Sequence, residues 1–302
     1  MRKINILMGV LFFLTACTGT VVTPRATLIP TVTKLPLSRP RIAAASATDT
    51  ATWTDTPEPT VTVSPTPTPT WVVRGPGDVT IPILLFHHIG ISPVNSRYYV
   101  SPEKFDQELK ALQDWGYTTI STQMLVQAIT VGRELPPHPM LITFDDGHMD
   151  NYVNAFPIMQ KYGFTGMLYI VANYLGADGF MDRDQILEMH DAGWEVGCHS
   201  MNHYDLTKLA PEDQHTEIIE SREKLERVLG IDIQTFAYPF GAKNPAVLDY
   251  VRFAGYMAAM GAEGYIDQQG DWNLFNLQRV EIKGSDDVQS MTRFFTWHGS
   301  SK

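Results

Sequence analysis

Two groups of residues in this sequence combine side chains that can bind a metal ion and transfer protons. Asp145 and Asp146 stand side by side in LITFDDG, directly after a run of apolar residues. His199 and His203 stand four residues apart in HSMNH. Adjacent carboxylates repel each other and burial raises the cost, so a purely structural core would avoid such a pair. A solvated Asp-Asp-Gly turn is the structural alternative.

Together, the two groups provide the ligands of a typical zinc site. In a helical turn or a compact loop, imidazoles four residues apart can reach one ion, and a carboxylate completes a set that leaves positions open for water and substrate. The aspartate that does not bind the metal can then accept the proton of the water that the metal acidifies. A divalent cation would also reduce the repulsion between the carboxylates. The sequence therefore predicts a hydrolytic site with a divalent metal ion, Zn²⁺ being the expected one.

The elements that carry these residues alternate between short apolar strands and helices. Strands are predicted in PILLF, PMLITF, GMLYIV and WEVGCH, and helices follow them, as in the segment that Ser101 caps and Pro102 begins. This order predicts βαβ units and a parallel sheet. About seven such units favour a distorted (β/α) barrel, complete or partly open. No glycine-rich phosphate loop follows a strand, which counts against a nucleotide-binding fold.

Polar clusters follow several of the predicted strands at the same end. HH follows PILLF, DDG follows LITF, HSMNH follows WEVGC, and YPFG follows QTFA. In αβ barrels the chemistry lies on the loops at the carboxyl ends of the strands. We therefore expect all four clusters to face one shared mouth.

Three of these motifs together resemble those of the polysaccharide deacetylases, also called the NodB-homology or carbohydrate esterase family 4. TFDDG (143–147) is similar to the first family motif, HSMNH (199–203) to the second and FAYPFG (236–241) to the third. The resemblance extends over roughly 81–282 and implies a distorted (β/α) barrel.

The resemblance also implies roles for individual residues. Asp145 takes the place of the catalytic base, and Asp146, His199 and His203 take the places of the metal ligands. In the third motif, the backbone N–H of the aromatic residue helps to hold the oxyanion. The corresponding substrate-binding residues here are Tyr238, Pro239 and Phe240.

The sequence departs from the family pattern at two points. The arginine of the third motif is replaced by Ala237, and the late Leu-x-His motif that supplies the general acid is not evident. LLFHHI (84–89) resembles an early strand of the exopolysaccharide-modifying branch, which implies His87 as the general acid. His88 is the alternative, although strand alternation points the two side chains to opposite faces. Arg279 could replace the missing arginine, or could form a surface salt bridge.

The first residues predict export and attachment to a membrane. MRKINILMGVLFFLTAC has a basic start, an apolar run and small residues before Cys17, and LTAC resembles a bacterial lipobox, in which the cysteine carries lipid. The apolar run is too short for a permanent membrane-spanning helix, which needs about 20 residues. We predict a lipoprotein signal peptide in residues 1–17. An ordinary signal peptide with an incidental cysteine is the alternative.

Composition divides the rest of the chain into two parts. Residues 18–78 are rich in Thr, Pro and Ser and have few large apolar residues, which predicts a disordered, extended tether. Residues 79–302 are long enough for one domain with a substantial core. If Cys17 carries lipid, Cys198 has no partner, and we expect it to be a small buried hydrophobic residue.

The charge of the predicted domain restricts its partners. Of the chain's 23 basic residues, seven precede Val79, and of its 33 acidic residues, four do, so the remainder has a net charge of about −13. This charge argues against nucleic acid and favours a neutral or cationic ligand.

These features, with the resemblance, predict a monomeric, membrane-anchored deacetylase outside the cytoplasm. Its substrate would be an extracellular or cell-wall polymer that contains N-acetylated amino sugars. One alternative is an O-acetyl esterase that acts on a xylan-like glycan. Another is a non-catalytic glycan-binding lipoprotein, but a binding protein has no need of the intact Asp-Asp pair and HxxxH motif.

Overall fold

The computed structural model of the chain describes residues 76–262, 264 and 268–295. The predicted signal peptide, Cys17 and the tether up to residue 75 lie outside the described residues. None of the described helices is long and apolar enough to cross a membrane.

Short parallel strands form the main sheet. In chain order, the strands are β1 (Val79–Thr80), β2 (Ile83–Phe86), β3 (His88–Ile89), β4 (Tyr99–Val100), β5 (Thr118–Thr119), β6 (Pro139–Phe144), β7 (Met167–Ile170), β8 (Glu195–Cys198), β9 (Thr235–Ala237), β10 (Ala258–Met260), β11 (Gln268–Gln269) and β12 (Val280–Glu281). The sheet has the order β10-β9-β8-β7-β6-β2-β12, and β5 also pairs with β6. All these pairings are parallel.

The sheet curls into a half-barrel, which confirms the predicted fold class. Leu277, just before β12, forms a parallel bridge with Met260 of β10, and β12 itself pairs with β2. The chain around residues 277–281 therefore contacts strands at both ends of the sheet. This brings the carboxyl end of β12 next to those of β2 and β6.

Helices cover the outside of the sheet. They are α1 (Pro102–Asp114), α2 (Thr122–Val131), α3 (Phe156–Lys161), α4 (Arg183–Asp191), α5 (Pro211–His215), α6 (Ser221–Leu229), α7 (Pro245–Phe253) and α8 (Val288–Met291). Helix α1 begins as predicted, because the Ser101 side chain accepts a hydrogen bond from the backbone N–H of Lys104. The helical stretch over residues 211–229 contains a π-helical segment, Thr216–Glu220, between α5 and α6.

Alternate residues of the strands pack into two different hydrophobic clusters. Leu84 and Ile142 belong to the larger cluster, which packs against the helices, whereas Ile83 and Leu141 belong to a smaller cluster inside the curl. Strand side chains alternate between faces with a period of two. Asp145 therefore continues the inner face of β6 past Leu141, and points into the curl.

Candidate active site

Asp145 forms a buried ion pair with Arg279. The two guanidinium nitrogens Nη1 and Nη2 donate to the two carboxylate oxygens of Asp145, both at 2.7 Å. Arg279 also donates from Nε to the Gly261 carbonyl at 2.6 Å and from Nη1 to Thr143 Oγ1 at 3.1 Å. Arg279 is only 1% exposed, which does not agree with a surface salt bridge. The arginine therefore fixes the orientation of the Asp145 carboxylate.

Asp146 turns away from this pair and faces the two histidines of HSMNH. Its Oδ1 lies 3.5 Å from Nε2 of His199 and 3.4 Å from Nε2 of His203. One ligand atom from each of the three residues lies within 4.8 Å of the other two. The structure thus brings together the three residues whose sequence pattern predicted metal ligands.

The hydrogen bonds around these three residues leave ligand atoms available for a cation. The Nδ1–H of His199 donates to the Ala237 carbonyl at 2.8 Å, so its Nε2 carries the lone pair. Among the described residues, the buried Oδ1 of Asp146 has no hydrogen-bond partner. Buried polar atoms are normally satisfied, so both atoms fit a bound divalent cation.

Several site residues adopt backbone conformations that non-glycine residues seldom adopt. The φ angles are 74° at Asp146, 67° at Ser200, 61° at His203 and 59° at Phe240. Such conformations cost about 1–3 kcal/mol each and persist where the surrounding contacts enforce them. The backbone N–H of His203 donates to Ser200 Oγ at 2.9 Å, which closes the loop between the two histidines.

His87 faces the same cavity from the end of β2. Its ring lies 4.7 Å from the ring of Tyr98, measured between centroids, and its buried Nδ1 has no hydrogen-bond partner among the described residues. Tyr98 is 39% exposed and was not singled out from the sequence. The sequence offered no signal for it, since it lies in a loop between short strands.

His88 also borders this cavity, but its ring is engaged by other residues. It donates from Nδ1 to Asp150 Oδ2 at 2.7 Å, and its ring stacks on that of His148 at 3.6 Å between centroids. His148 in turn donates from Nε2 to Asp146 Oδ2 at 3.2 Å. The sequence indicated no role for His148 or Asp150, although His148 stands only two residues after Asp146.

The YPFG turn contributes one exposed ring to the site. Phe240 is 68% exposed, and its ring packs edge-on against that of His203 at 4.5 Å between centroids. Tyr238 is buried and donates its hydroxyl to the Phe275 carbonyl at 3.0 Å. Pro239 is buried and does not line the cavity. The structure therefore places Pro239 in the turn and away from the cavity wall.

A cavity of about 410 Å³ opens onto these residues. Its walls include the residues already described: His87, Tyr98, Asp145, Asp146, His148, His199, His203 and Phe240. Glu281 at the end of β12 also lines it, and Arg97 lies 3.3 Å from the Glu281 carboxylate. The four polar clusters predicted to share a mouth therefore do so.

Burial and neighbouring charges shift the pKa values of the site residues. Burial would raise the pKa of Asp145, but the charges of Arg279 and His199 outweigh it and hold the pKa below its ordinary value. Burial opposes ionisation of Asp146 as well, yet the hydrogen bond from His148 and the charge of His199 lower its pKa. Burial lowers the pKa of His87, and Asp145 and Asp146 offset only part of this. Both aspartates are thus ionised, while the His87 ring is neutral near pH 7.

The fold and the site define a class of protein: a curled parallel α/β barrel with ionised carboxylates and histidines at the carboxyl ends of its strands. The chain carries a polysaccharide deacetylase domain, since residues 132–259 match the sequence model of the family described as polysaccharide deacetylase. This match confirms the family resemblance over residues 132–259, and together with the relatives it indicates a polysaccharide deacetylase.

Two curated relatives are similar over the same part of the chain. The polysaccharide deacetylase candidate YxkH of Bacillus subtilis is 28% identical over 202 residues, 67% of this chain and 71% of its own length. The poly-β-1,6-N-acetyl-D-glucosamine N-deacetylase of Staphylococcus aureus is 28% identical over 173 residues. The match covers 52% of this chain and 59% of the staphylococcal protein.

Solved structures show the same fold. The Streptococcus pyogenes deacetylase PplD in complex with acetate is 28% identical, with a TM-score of 0.67, and the alignment covers 72% of this chain and 99% of PplD. IcaB from Ammonifex degensii is 26% identical with a TM-score of 0.61, over 72% of this chain and 97% of IcaB.

Proposed function

We propose that the protein is a metal-dependent hydrolase that removes N-acetyl groups from an extracellular or cell-wall amino sugar polymer. The observation that carries this proposal is the convergence of Asp146, His199 and His203 beside the ion pair of Asp145 and Arg279. The similar protein of Staphylococcus aureus is named a poly-β-1,6-N-acetyl-D-glucosamine N-deacetylase. The similar Streptococcus pyogenes structure is named a deacetylase in complex with acetate. Acetate is the product that such a hydrolysis releases.

Asp146, His199 and His203 would hold the metal ion, with Zn²⁺ as the expected one. A zinc ion in such a site polarises a carbonyl oxygen and acidifies bound water. His148 keeps the second oxygen of Asp146 engaged, which leaves Oδ1 directed at the histidines. The residues present therefore fit a three-ligand site of the catalytic type, in which further positions stay open.

Asp145 would accept the proton of the attacking water. Arg279 holds the carboxylate in the ionised form and prevents its rotation. Arg279 thus supplies the charged partner that Ala237 cannot, although it comes from a different strand. A glycan-binding protein without catalysis would gain nothing from this buried and costly pair.

His87 would protonate the departing amine, and the backbone N–H of Phe240 would stabilise the negative charge that develops on the acetyl oxygen. Because burial lowers its pKa, the His87 ring is neutral in the free protein and must receive a proton during the reaction before donating it. The exposed rings of Tyr98 and Phe240 flank the cavity and could stack on sugar rings.

The organisation of the chain and its location are also proposals. We infer an exported lipoprotein with a signal peptide in residues 1–17, a tether in 18–78 and the catalytic domain in 79–302. The order of basic start, apolar run and small residues before Cys17 supports this. The acidic domain would attract rather than repel a polymer that becomes cationic as it loses acetyl groups.

The test is the release of acetate from defined polymers. The purified protein would be incubated with N-acetylglucosamine oligomers, peptidoglycan and acetylxylan, each with added zinc or with EDTA. We expect acetate from an amino sugar polymer, dependent on zinc and abolished by EDTA. Release from acetylxylan alone would show an O-acetyl esterase instead, and no release from any polymer would favour a binding protein.

Metal binding is tested separately by His199→Ala and His203→Ala. Each variant should lose most of the zinc affinity, because one of the three side chains that bind the metal directly is missing. Zinc content after dialysis, measured by atomic absorption, checks this. Stoichiometric zinc in both variants would refute the assignment.

A further inference from the structure

The helical stretch from α5 to α6 carries polar side chains on the face that it buries. Gln214, Glu217 and Ser221 are all buried and stand three and four residues apart, so they share one side of the stretch. Apolar residues normally occupy such positions in an amphipathic helix. Burying a carboxylate is costly unless hydrogen bonds compensate its charge. The contacts of Glu217 therefore indicate what this face is built to hold.

Glu217 binds the middle of the loop that joins His199 to His203. Its Oε2 accepts hydrogen bonds from the backbone N–H groups of Met201 at 3.0 Å and Asn202 at 2.9 Å. Its Oε1 accepts a hydrogen bond from Nδ2 of Asn202 at 2.6 Å. Successive N–H groups that converge on one anion form a concave binding site for it. The carboxylate, which is 2% exposed, occupies such a site.

The two neighbouring polar residues hold the chain on either side of this loop. The Oγ of Ser221 lies 3.1 Å from Sγ of Cys198, the residue before His199. Nε2 of Gln214 donates to the Leu206 carbonyl at 2.9 Å, beyond His203. Glu217 itself lies in the π-helical segment Thr216–Glu220, and such segments are frequent at functional sites. Of these three side chains, Glu217 is the one that contacts the loop.

The loop needs restraint from outside. Ser200 and His203 both have positive φ angles, 67° and 61°. Residues other than glycine adopt such angles only at a cost in conformational free energy. On one side, the backbone N–H groups of Ala172 and Asn173 donate to the carbonyls of Ser200 and Met201, both at 3.0 Å. On the other side stands Glu217. The loop is thus held between the continuation of β7 and this carboxylate.

We propose that Glu217 is a positioning residue that holds the loop in the conformation that directs Nε2 of both histidines at Asp146. It acts through the backbone of Met201 and Asn202 and touches neither histidine in the hydrogen bonds described. The proposal rests on the proposed metal site. It predicts that Glu217 determines how well the two imidazoles are arranged for a cation before the cation arrives.

The test compares Glu217→Gln with Ser221→Ala in the full-length protein. Glu217→Gln keeps the size of the side chain but replaces one acceptor oxygen with an NH₂ donor, which then opposes an N–H donor of the loop. Ser221→Ala alters the same buried face and removes the contacts of its Oγ with Cys198 Sγ and with the Glu217 carbonyl, but it leaves the hydrogen bonds between the Glu217 carboxylate and the loop in place. For Glu217→Gln we expect the zinc dissociation constant to rise about 10–100-fold. For Ser221→Ala we expect it to stay within about twofold, even if the melting temperature falls.

Two further measurements separate positioning from a general loss of stability. In metal-free protein, Glu217→Gln should accelerate amide hydrogen exchange in peptides covering residues 199–205, whereas Ser221→Ala should not. At saturating zinc, kcat of Glu217→Gln should return to within a few-fold of the wild-type value, because the groups that transfer protons are unchanged. Should Glu217→Gln not fold, Asn202→Ala keeps both backbone contacts to Oε2 and removes the contact to Oε1, together with the hydrogen bond that Asn202 Oδ1 accepts from Asn173 Nδ2. It should show the same effects to a smaller extent.

The outcomes distinguish this proposal from the proposed function. An unchanged zinc affinity in Glu217→Gln, or unchanged exchange in residues 199–205, would overturn the positioning role. Equal losses in Glu217→Gln and Ser221→Ala would also overturn it, since both would then only destabilise the fold. If the wild-type protein binds no zinc, the proposed metal site is wrong. In that case the comparison of amide hydrogen exchange in residues 199–205 between metal-free Glu217→Gln and metal-free wild type decides by itself whether Glu217 holds the loop.

Discussion

The two aspartates of the DDG motif are adjacent in the chain but have different neighbours. Asp145 meets one fully buried cation, Arg279, which occupies both of its oxygens. Asp146 has a positive φ angle of 74° and meets three imidazoles, those of His148, His199 and His203. The repulsion between the two carboxylates is thus compensated mainly by Arg279 at Asp145 and by the histidines at Asp146, while His199 Nε2 also lies 3.7 Å from Asp145 Oδ2. This division is what allows one to serve as base and the other as ligand.

Replacement of each aspartate by asparagine should separate the two roles. Asp145→Asn should lower kcat by about 10²–10⁴-fold while zinc content stays stoichiometric, because the amide cannot accept a proton. Asp146→Asn should lower zinc content first, and high zinc concentration should restore part of the activity. Initial rates of acetate release and zinc content after dialysis measure the two effects.

Asp145→Asn carries a stability cost that must be measured beside its activity. It leaves the Arg279 guanidinium buried without a carboxylate, which typically costs about 3–5 kcal/mol. Activity should therefore be assayed at a temperature well below the melting temperature of the variant. The roles would have to be exchanged if Asp145→Asn lost zinc while Asp146→Asn kept both zinc and activity.

Buried Glu108 gives the domain a pH dependence outside the site. It is 1% exposed, neither oxygen has a hydrogen-bond partner among the described residues, and burial together with the charge of Asp286 raises its pKa to about 8. The unfolded carboxyl has its ordinary pKa of 4.5. Glu108 therefore holds its proton more tightly in the folded state than in the unfolded state. The contribution of this difference to the free energy of unfolding is fully present below pH 4.5 and is lost as the pH rises towards 8.

Glu108→Gln should remove this dependence. The variant and the wild type should have free energies of unfolding within about 1 kcal/mol of each other at pH 5, where the Glu108 side chain of the folded wild type is still neutral. At pH 7 the variant should be more stable by about 3 kcal/mol, from 1.36 kcal/mol per pKa unit. Urea unfolding at both pH values checks this, with Glu103→Gln on the exposed face of α1 as the control. A stability difference between Glu108→Gln and wild type that does not grow with pH would refute the raised pKa.

At the scale of elements, the curl of the sheet brings Arg279 to Asp145. Tyr169 on β7 lies inside the curl, with its ring 5.5 Å below the Arg279 guanidinium, from the ring centroid to Cζ. Gly197 on β8 leaves room for this ring, because a Cβ there would lie 2.5 Å from Tyr169 Cε1 and 2.5 Å from Met167 Cε. A glycine in a strand often marks such a close approach.

Gly197→Ala should therefore displace Tyr169 and loosen the support of Arg279. We expect a loss of about 1–3 kcal/mol in the free energy of unfolding, as for other overpacked cores, and a fall in kcat. The control is Gly77→Ala, since a Cβ at Gly77 would meet nothing within 4 Å. Equal unfolding midpoints for Gly197→Ala and wild type would show that the strand relaxes without cost.

The strands, the helices and the principal site residues could be predicted from the sequence, because local patterns determine them. β6 occupies the predicted segment 139–144. The cluster of Asp146, His199 and His203 was predicted from the DDG motif and the four-residue spacing of the two histidines. The pairing of Arg279 with Asp145 remained one of two alternatives, since it depends on how far the sheet curls. Ala237 departs from the family pattern, yet its carbonyl binds His199, a contact that needs no particular side chain.

Other features depend on contacts between distant segments and left no local signal. Tyr98 and His148 reach the cavity only because loops from β3 and β6 meet there. Glu217 did leave a signal, a carboxylate at an apolar position of an amphipathic helix. Its meaning, however, required the position of the HSMNH loop. Periodicity identifies which face a residue occupies but not which segment lies against that face.

At the scale of the whole molecule, the proposed anchor would confine the domain of residues 79–302 to a membrane surface. If residues 18–78 form the proposed tether, their prolines would favour an extended chain of roughly 3 Å per residue, which would let the site reach polymer away from the bilayer. An enzyme on such a tether searches a limited volume at high local concentration. The proposed attachment would therefore matter for access to an insoluble polymer and much less for hydrolysis of short oligomers.

Cys17→Ser tests the anchor, with Cys198→Ser as the matched control. Cys17→Ser should move the protein from the membrane fraction to the soluble fraction, because the thiol that would carry lipid is gone. Cys198 is buried and free, so Cys198→Ser should leave the protein on the membrane even if it lowers stability. Sedimentation after a salt wash, followed by immunoblotting, measures the distribution. Acetate release from short oligomers should be unchanged in Cys17→Ser, while release from an insoluble cell-wall polymer should fall. A Cys17→Ser protein that still sediments with washed membranes would rule out Cys17 as the anchor.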